Sequence, residues 1–596
     1  MDILKFVEDT RTSGRIPTSF NSTFLDLIPK SDSPQSLNDY RPISLCNCIY
    51  KIVSKFIAKR LKIILSEHIL EEQFGFLEGR QIHEAIGVAQ EGLHSLKMRN
   101  MKGVVLKIDL SKAYDKVSWI YLRLLLTHQG FGFEFIRWVM SCITTVSFSV
   151  LINGAASTFF HAGRGLRQGC PLSPLLFLLV AEGLSRALKE AKSQGRLQGI
   201  RISDTLSLTH LLFVDDVLIF SSGSRRDTQT LKEILDLFSR ATRMEVNVNK
   251  STLSTHLLRQ DEVAELSRPF PFNTAGLEAG LKYLGFFLKP NNYLKQDWSW
   301  LIEKMEKRLK VWCHKWLPRA GRLVLVKSVL EAILVYWMSL AWIPVGILEK
   351  ARRICFRFLW CGKKESQVVS WVNWKRIATP KGLGGWGLKN IFRFAQALAA
   401  KGRWRLLKSN SLWTHVIIQK YLDLMTIEDW IRNRRKSHAG GSVIWKAIVK
   451  LFPIPKSNLA WRVGNGQKLR IGQDPWVGCD QQHLLPAHIT DQLGQRGVFT
   501  LCHIAAPVQD GAWFQRWRRA SSFGLDGPDE CCLDSYIQAL ERAHIHLDAQ
   551  EDILIWDVDP GGDYSPKAGY IKLSAEEGNR EEAWWWRKLW KLKCPP

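Results

Sequence analysis

Cysteine pairs at the Cys-x-x-Cys spacing are absent, although the chain holds 12 Cys, scattered along its length. That excludes a small disulfide-stapled framework and points to a reduced intracellular setting. Cys502, His503, Cys531, Cys532, His544 and His546 are the right residue types for zinc, but their spacing matches no compact zinc motif, and no zinc site is assigned. The opening MDILKFVEDTR lacks the apolar core of a secretory leader. No long apolar run is free of charge: Leu323 to Val345, the most apolar stretch away from the motifs, is interrupted by Lys327 and Glu331, so it reads as a buried soluble helix and no membrane partner is expected. Negative charge is scarce, with 56 Asp and Glu against 83 Lys and Arg for a net +27. Such a surplus attracts phosphate backbones and gains affinity by counterion release, so nucleic acid is the first partner to expect; a basic protein whose charge serves only solubility is the plain alternative.

At 596 residues and 46% hydrophobic, the chain exceeds what one core can fill, so several domains are expected. Residues 104–290 mix β-rich runs such as VVLKID and HLLFVDDVLIF with helical patterns such as LKEILDLFSRAT, which predicts an α+β domain. Residues 294–360 are almost wholly helical in pattern. Beyond them, 17 of the 25 tryptophans lie between Trp360 and Trp590, separated by Gly-rich turns and without a strict repeat. Most of these rings are expected in cores, while some are suited to stack on unpaired bases.

The informative chemistry is acidic. VVLKID places Asp109 at the end of a strand, and HLLFVDDVLIF places Asp215 and Asp216 at a hairpin between two apolar strands. An ordinary turn accommodates Asp, but hairpin design does not call for two adjacent like charges on buried strands. Hard carboxylate oxygens brought together from separate segments are what a divalent cation needs when it also bridges substrate phosphates. Between these sites, the loop GRGLRQG feeds an apolar helix, and Arg164, Arg167 and Gln168 in it are placed either to face phosphates or a base pair, or to lie in solvent.

The ordered blocks NDYRPISL, QFGFLEGRQIHEAI, KIDLSKAYD, LRQGCPLSPLLF, FVDD, NVNKS and KYLGFFL make residues 20–290 similar to the reverse transcriptases of plant LINE-type, non-LTR retrotransposons. The resemblance implies a right hand: 1–103 as N-terminal segment and fingers, 104–290 as palm with some fingers elements, and 291–360 as helical thumb. A Trp-rich connecting region, 361–550, and a truncated start of a zinc-binding region, 551–596, would follow. It implies an RNA-directed DNA polymerase that extends a DNA primer on an RNA template with dNTPs and two Mg²⁺ ions, for which Mn²⁺ can substitute. Asp109, Asp215 and Asp216 would be the metal-binding catalytic carboxylates and Lys250 the lysine that protonates pyrophosphate. Arg41 and Lys51 would hold the triphosphate, Tyr114 would exclude a ribose 2′-hydroxyl, and Gln168 would align nucleotide and template.

Two departures qualify the resemblance. Val214 stands where a small residue, commonly Ala, precedes the acidic pair, and the chain opens directly in the fingers, which leaves target nicking to a separate endonuclease. The other reading of the same residues is a decayed or recruited copy that binds RNA or DNA without catalysis. Either would act in nucleus and cytoplasm.

Overall fold

The computed structural model describes residues 3–575 apart from 313–316, 362–369, 382–383, 423–424, 433–439, 452–457, 480–481 and 507–516, together with Trp585 and Lys588. It divides into two compact units, one of residues 1–293 with 409–444, the other of residues 294–408 with 445–596.

The first unit is built on a sheet in the order His210–Phe213, Asp216–Ser221, Gly103–Ile108, Thr252–His256, Asn273–Gly276. All neighbours are antiparallel except the last pair. The central strand GVVLKI is a run of apolar residues because both its faces are covered. Val104, Leu106 and Ile108 join the core formed with helices Ser173–Ser193 and Arg225–Thr242. The opposite face meets helix Ile82–Met98, whose Gly92 lets Leu208 and Phe220 approach; a Cβ there would lie 3.1 Å from the Leu208 side chain. A second sheet, Tyr40–Cys46, Thr23–Pro29, Ser147–Ile152 and Ala155–Ala156, stands beside the loop that precedes helix Ser173–Ser193. Mixed helix and sheet is the α+β class that the sequence predicts.

Residues 409–444 complete this unit from far down the chain. The indole of Trp413 packs where a Cβ at Gly87 would fall 2.5 Å from its Nε1. Glu91, fully buried, accepts from Lys420 Nζ at 2.8 Å, from the Tyr421 hydroxyl at 2.7 Å and from the Ser442 hydroxyl. A buried carboxylate is tolerable because an ammonium and two hydroxyls neutralise and satisfy it; removing one partner from such a pair costs about 3–5 kcal/mol.

In the second unit, helices Ser299–Trp312, Arg319–Leu340 and Val345–Cys361 are followed by helix Ile391–Lys408. Among the described residues Arg319–Leu340 is the one helix long and apolar enough to cross a membrane by length and composition. Its Lys327 donates to the Trp386 carbonyl, and its Glu331, pushed up to about 7 by burial, accepts from the Lys389 backbone N–H at 3.0 Å. The C-terminal part is woven back into this unit: strand Ile553–Trp556 pairs with Leu459–Arg462, and helix Pro566–Ala575 packs on Ile391–Lys408. Within 586–596, the end of the segment whose resemblance to a zinc-binding region the sequence suggests, all but Lys588 lies outside the described residues.

His210, buried in the edge strand of the main sheet, sits between Ser185 Oγ, 2.7 Å from Nε2, and Thr209 Oγ1, 3.0 Å from Nδ1. Burial lowers its pKa from 6.5 to about 4. The unfolded chain therefore takes up a proton at pH 6.5 that the folded chain refuses until about pH 4, so this contribution to stability is complete above pH 6.5 and lost as pH falls through that window. Denaturant titrations at about pH 7.5 and about pH 5 should differ by about 2 kcal/mol through this group. His210→Gln should flatten that difference.

Candidate functional site

Three carboxylates meet at one end of the main sheet. Asp109 follows strand Gly103–Ile108 directly, Asp216 opens strand Asp216–Ser221, and Val217 pairs with Ile108, so continuing the ladder by one residue sets Asp216 across from Asp109. Asp215 sits at the tip of the hairpin, where Phe213 pairs with Asp216. Asp215 is open to solvent at its surface, yet the protein around its carboxyl raises its pKa, chiefly by burial and further by the charge of Asp109. Asp216 is raised by burial and by both neighbours, against the pull of Lys107. The charges of Asp109 and Asp215 thus make ionisation of their neighbours harder, which a bound cation would reverse.

The hairpin tip is held in a conformation its sequence resists. Val214 has φ 62°, a left-handed geometry that is an outlier for a β-branched residue. Gln73 imposes it: its Oε1 accepts from the Val214 N–H at 3.0 Å and from the Gly75 N–H at 2.9 Å. The backbone of residues 72–74 adds to the sheet edge, with the Leu212 N–H donating to the Glu72 carbonyl and the Phe74 N–H to the Leu212 carbonyl, both at 2.8 Å. Arg80 anchors this segment by donating to the carbonyls of Ile69, Leu70 and Gln73 at 2.5–2.7 Å. Asp109 is fixed likewise through its backbone: its N–H donates to Ser251 Oγ at 3.1 Å and its carbonyl accepts from the Asn247 N–H at 2.8 Å.

The other sequence-derived positions arrange themselves around this cluster unequally. The Tyr114 ring stacks on Phe177 with centroids 4.8 Å apart, and burial, then the charge of Asp215, pushes its hydroxyl pKa up. It is half-buried, and it lies near enough to Asp215 for that charge to act on its hydroxyl. Gln168 donates to Asp115 Oδ1 at 3.2 Å, and its carbonyl accepts from the Ser44 N–H at 2.8 Å. Beside it opens a cavity of about 220 Å³ lined by Asp115, Trp119, Phe148, Phe160 and Arg164. Lys250 is exposed on the Asn247–Ser251 turn that is bonded to Asp109. Arg41 and Lys51, on strand Tyr40–Cys46 and helix Cys48–His68, are exposed, and among the described residues neither is bonded to the carboxylates.

Arg167 corrects the expectation of a phosphate-facing loop residue. It is buried, donates to Thr23 Oγ1 at 3.1 Å and the Cys142 carbonyl at 2.7 Å, and lies 3.9 Å over the Tyr50 ring. Arg164, three residues earlier, is exposed. Gln73, Gly75 and Ser251 went unassigned from sequence; the only hint was a polar Gln and a Gly inside the apolar QFGF run.

Asp109, Asp215 and Asp216 offer the hard oxygen donors that suit Mg²⁺. Among the described residues no group of three or more His, Cys, Asp and Glu is gathered closely enough to hold a metal by itself. An ion with accompanying phosphates would therefore have to draw these oxygens inward.

Gly75 permits the close approach at the tip: a Cβ there would lie 2.4 Å from Val214 Cγ2 and 2.9 Å from the Val214 nitrogen. Gly75→Ala should lower folding stability by about 1–3 kcal/mol in denaturant titrations. Adding Val214→Ala, which removes the clashing methyl, should recover part of the loss; no recovery would assign the clash to the backbone nitrogen alone.

Comparisons with known proteins bear on this same region. Residues 28–288 match the family described as reverse transcriptase (RNA-dependent DNA polymerase). The chain is 27% identical over 392 residues, 65% of its length, to the 149 kDa protein of transposon TX1 from Xenopus laevis, and covers 29% of that protein. It is 24% identical over 419 residues, 68% of its length, to the Pol polyprotein of the type-2 retrotransposable element R2DM from Drosophila melanogaster, and covers 37% of it. The chain thus spans well under half of either relative. A telomerase from Candida tropicalis overlaps loosely, at 10% identity and TM-score 0.36, over 71% of this chain and 68% of that one.

Proposed function

We propose, starting from a reverse transcriptase domain at residues 28–288 with relatives among non-LTR retrotransposons, that this chain is an RNA-directed DNA polymerase. The observation that carries the reading is the set of three carboxylates on adjoining strand ends, with Asp109 acting on Asp215 and both acting on Asp216, beside a hairpin tip kept strained by Gln73. Asp109, Asp215 and Asp216 would hold the divalent cations. When bound, Mg²⁺ would supply activation of the primer hydroxyl and stabilisation of the leaving pyrophosphate. The chain's own part is positioning. Ser251 and Asn247 fix Asp109, Gln73 fixes the Asp215 turn, and the bond between Gln168 and Asp115 steadies the loop beside Tyr114.

Around that centre the proposal assigns substrates by chemistry. Arg41 and Lys51 are exposed cations suited to the dNTP triphosphate, and Lys250 is an exposed ammonium on the turn bonded to Asp109, suited to protonate pyrophosphate. Lys304, Lys307, Arg308 and Lys310 are all exposed on helix Ser299–Trp312, as contacts to the backbone of an RNA–DNA hybrid require. Target nicking by a separate endonuclease, a plant source, a zinc-binding continuation at the C-terminal end, and action in nucleus and cytoplasm belong to the same reading.

Extension of a DNA primer on an RNA template with purified protein and Mg²⁺ tests the proposal. Asp215→Asn should abolish synthesis while leaving template binding nearly intact, because one metal ligand is lost and the basic surface is not; equal loss of both would contradict the assignment. Tyr114→Val should admit ribonucleotides, read as the ratio of kcat/KM for a dNTP and its ribo counterpart. An unchanged ratio would leave Tyr114 only its packing on Phe177.

A further inference from the structure

One tryptophan in the second unit is left uncovered by its neighbours. Trp371 is 72% exposed, the most exposed Trp among the described residues. It borders an aromatic cluster in which Trp360 lies 6.2 Å from Trp371, 5.6 Å from Trp386 and 6.2 Å from Phe356, and Phe356 in turn meets the buried Trp374. The cluster explains the buried rings as core. Trp371 instead leaves an amphipathic indole surface in water, a face on which a partner ring can stack.

A guanidinium accompanies it. The Arg319 carbon Cζ lies 4.0 Å from the Trp371 ring centre and 5.3 Å from that of Trp360. Among the described residues the Arg319 guanidinium makes no hydrogen bond or ion pair and meets only the two indoles. Arg322, one turn on, donates to the carbonyls of Leu359 and Trp360 at 3.1 and 3.0 Å and so closes the end of helix Val345–Cys361. Its pKa is lowered, first by burial and then by the charge of Arg319. Exposed Lys375 and Arg376 follow Trp371 closely in sequence. Residues 294–408 as a whole carry 24 Lys and Arg against 6 Asp and Glu, two-thirds of the chain's net charge of +27.

We propose that Trp371 and Arg319 form a stacking site for an unpaired base of single-stranded nucleic acid, with Arg319 donating to the adjoining phosphate. An aromatic face binds any base by stacking, and a guanidinium 4.0 Å from the ring centre, with its N–H groups unused, can donate to an oxyanion beside the stacked base. A positive segment with so few carboxylates selects a polyanion over a neutral or basic polypeptide. That the strand is RNA rests on the polymerase reading; the stacking site does not.

The experiment uses the full chain carrying Asp215→Asn, so that no extension occurs, and fluorescence anisotropy with three single-stranded probes of equal length: RNA, DNA and an abasic ribose-phosphate chain. Trp371→Ala should weaken binding of RNA by about tenfold and leave the abasic chain unaffected, whereas Trp371→Phe should retain most of the affinity. Arg319→Gln should weaken RNA and abasic probes alike and reduce the salt slope by about one. A parallel loss on DNA supports stacking and makes the site indifferent to the sugar. An equal effect of Trp371→Ala on RNA and abasic probes, or none on either, overturns the proposal. If the wild-type chain fails to extend a primer while Trp371→Ala still discriminates the abasic probe, the polymerase reading falls and the stacking site stands.

Discussion

Like charges do not collect without something to hold them, and the mutual repulsion of Asp109, Asp215 and Asp216 is the constraint around which the first unit is arranged. The bonds that hold them are made to backbone atoms: Ser251 and Asn247 to the N–H and carbonyl of Asp109, Gln73 to the N–H of Val214. Held this way, the carboxylate oxygens keep their lone pairs for other ligands. The strain at Val214 and the missing Cβ at Gly75 belong to the same solution, because the segment that carries Gln73 must press against the hairpin tip to reach it.

Much of this was legible in the residues, for physical reasons. Apolar runs that end in Asp mark buried strands whose ends open to solvent, so the class of fold and the acidic cluster could both be read from VVLKID and FVDDVLIF. Arg167 shows the limit. It stands between Leu166 and Gln168 in a glycine-rich loop, and no local pattern tells an arginine that turns inward to Thr23 and Cys142 from one like Arg164 that stays in water. Gln73 was illegible for a related reason: its importance lies in a partner 141 residues away. Residues 409–444 gave no sign of belonging with the first unit, because Trp413 and Tyr421 look like any other rings in a Trp-rich stretch.

The surplus of basic residues also divides by use. Arg80, Arg322 and Arg403 each gather backbone carbonyls, Arg167 joins one carbonyl and the Thr23 hydroxyl, and Arg403 is so deeply buried that its pKa falls to about 9. These cations fasten helix ends and loops, and net charge alone would credit them to the surface. The net surplus is nonetheless concentrated in residues 294–408, which hold both Arg322 and Arg403 and the exposed Lys304, Lys307, Arg308 and Lys310.

The dependence of helix Ile82–Met98 on residues 409–444 has a consequence for how the chain is made. Synthesis proceeds from the N-terminus, and Glu91 is translated long before Lys420, Tyr421 and Ser442 leave the ribosome. Until then the nascent first unit carries a carboxylate on a face destined for burial, beside the slot at Gly87 that Trp413 will fill. That charge keeps the waiting face wetted and poorly suited to premature apolar association. The unit is finished by a segment that emerges after the whole of residues 294–408, so the two units are interleaved in time as well as in sequence.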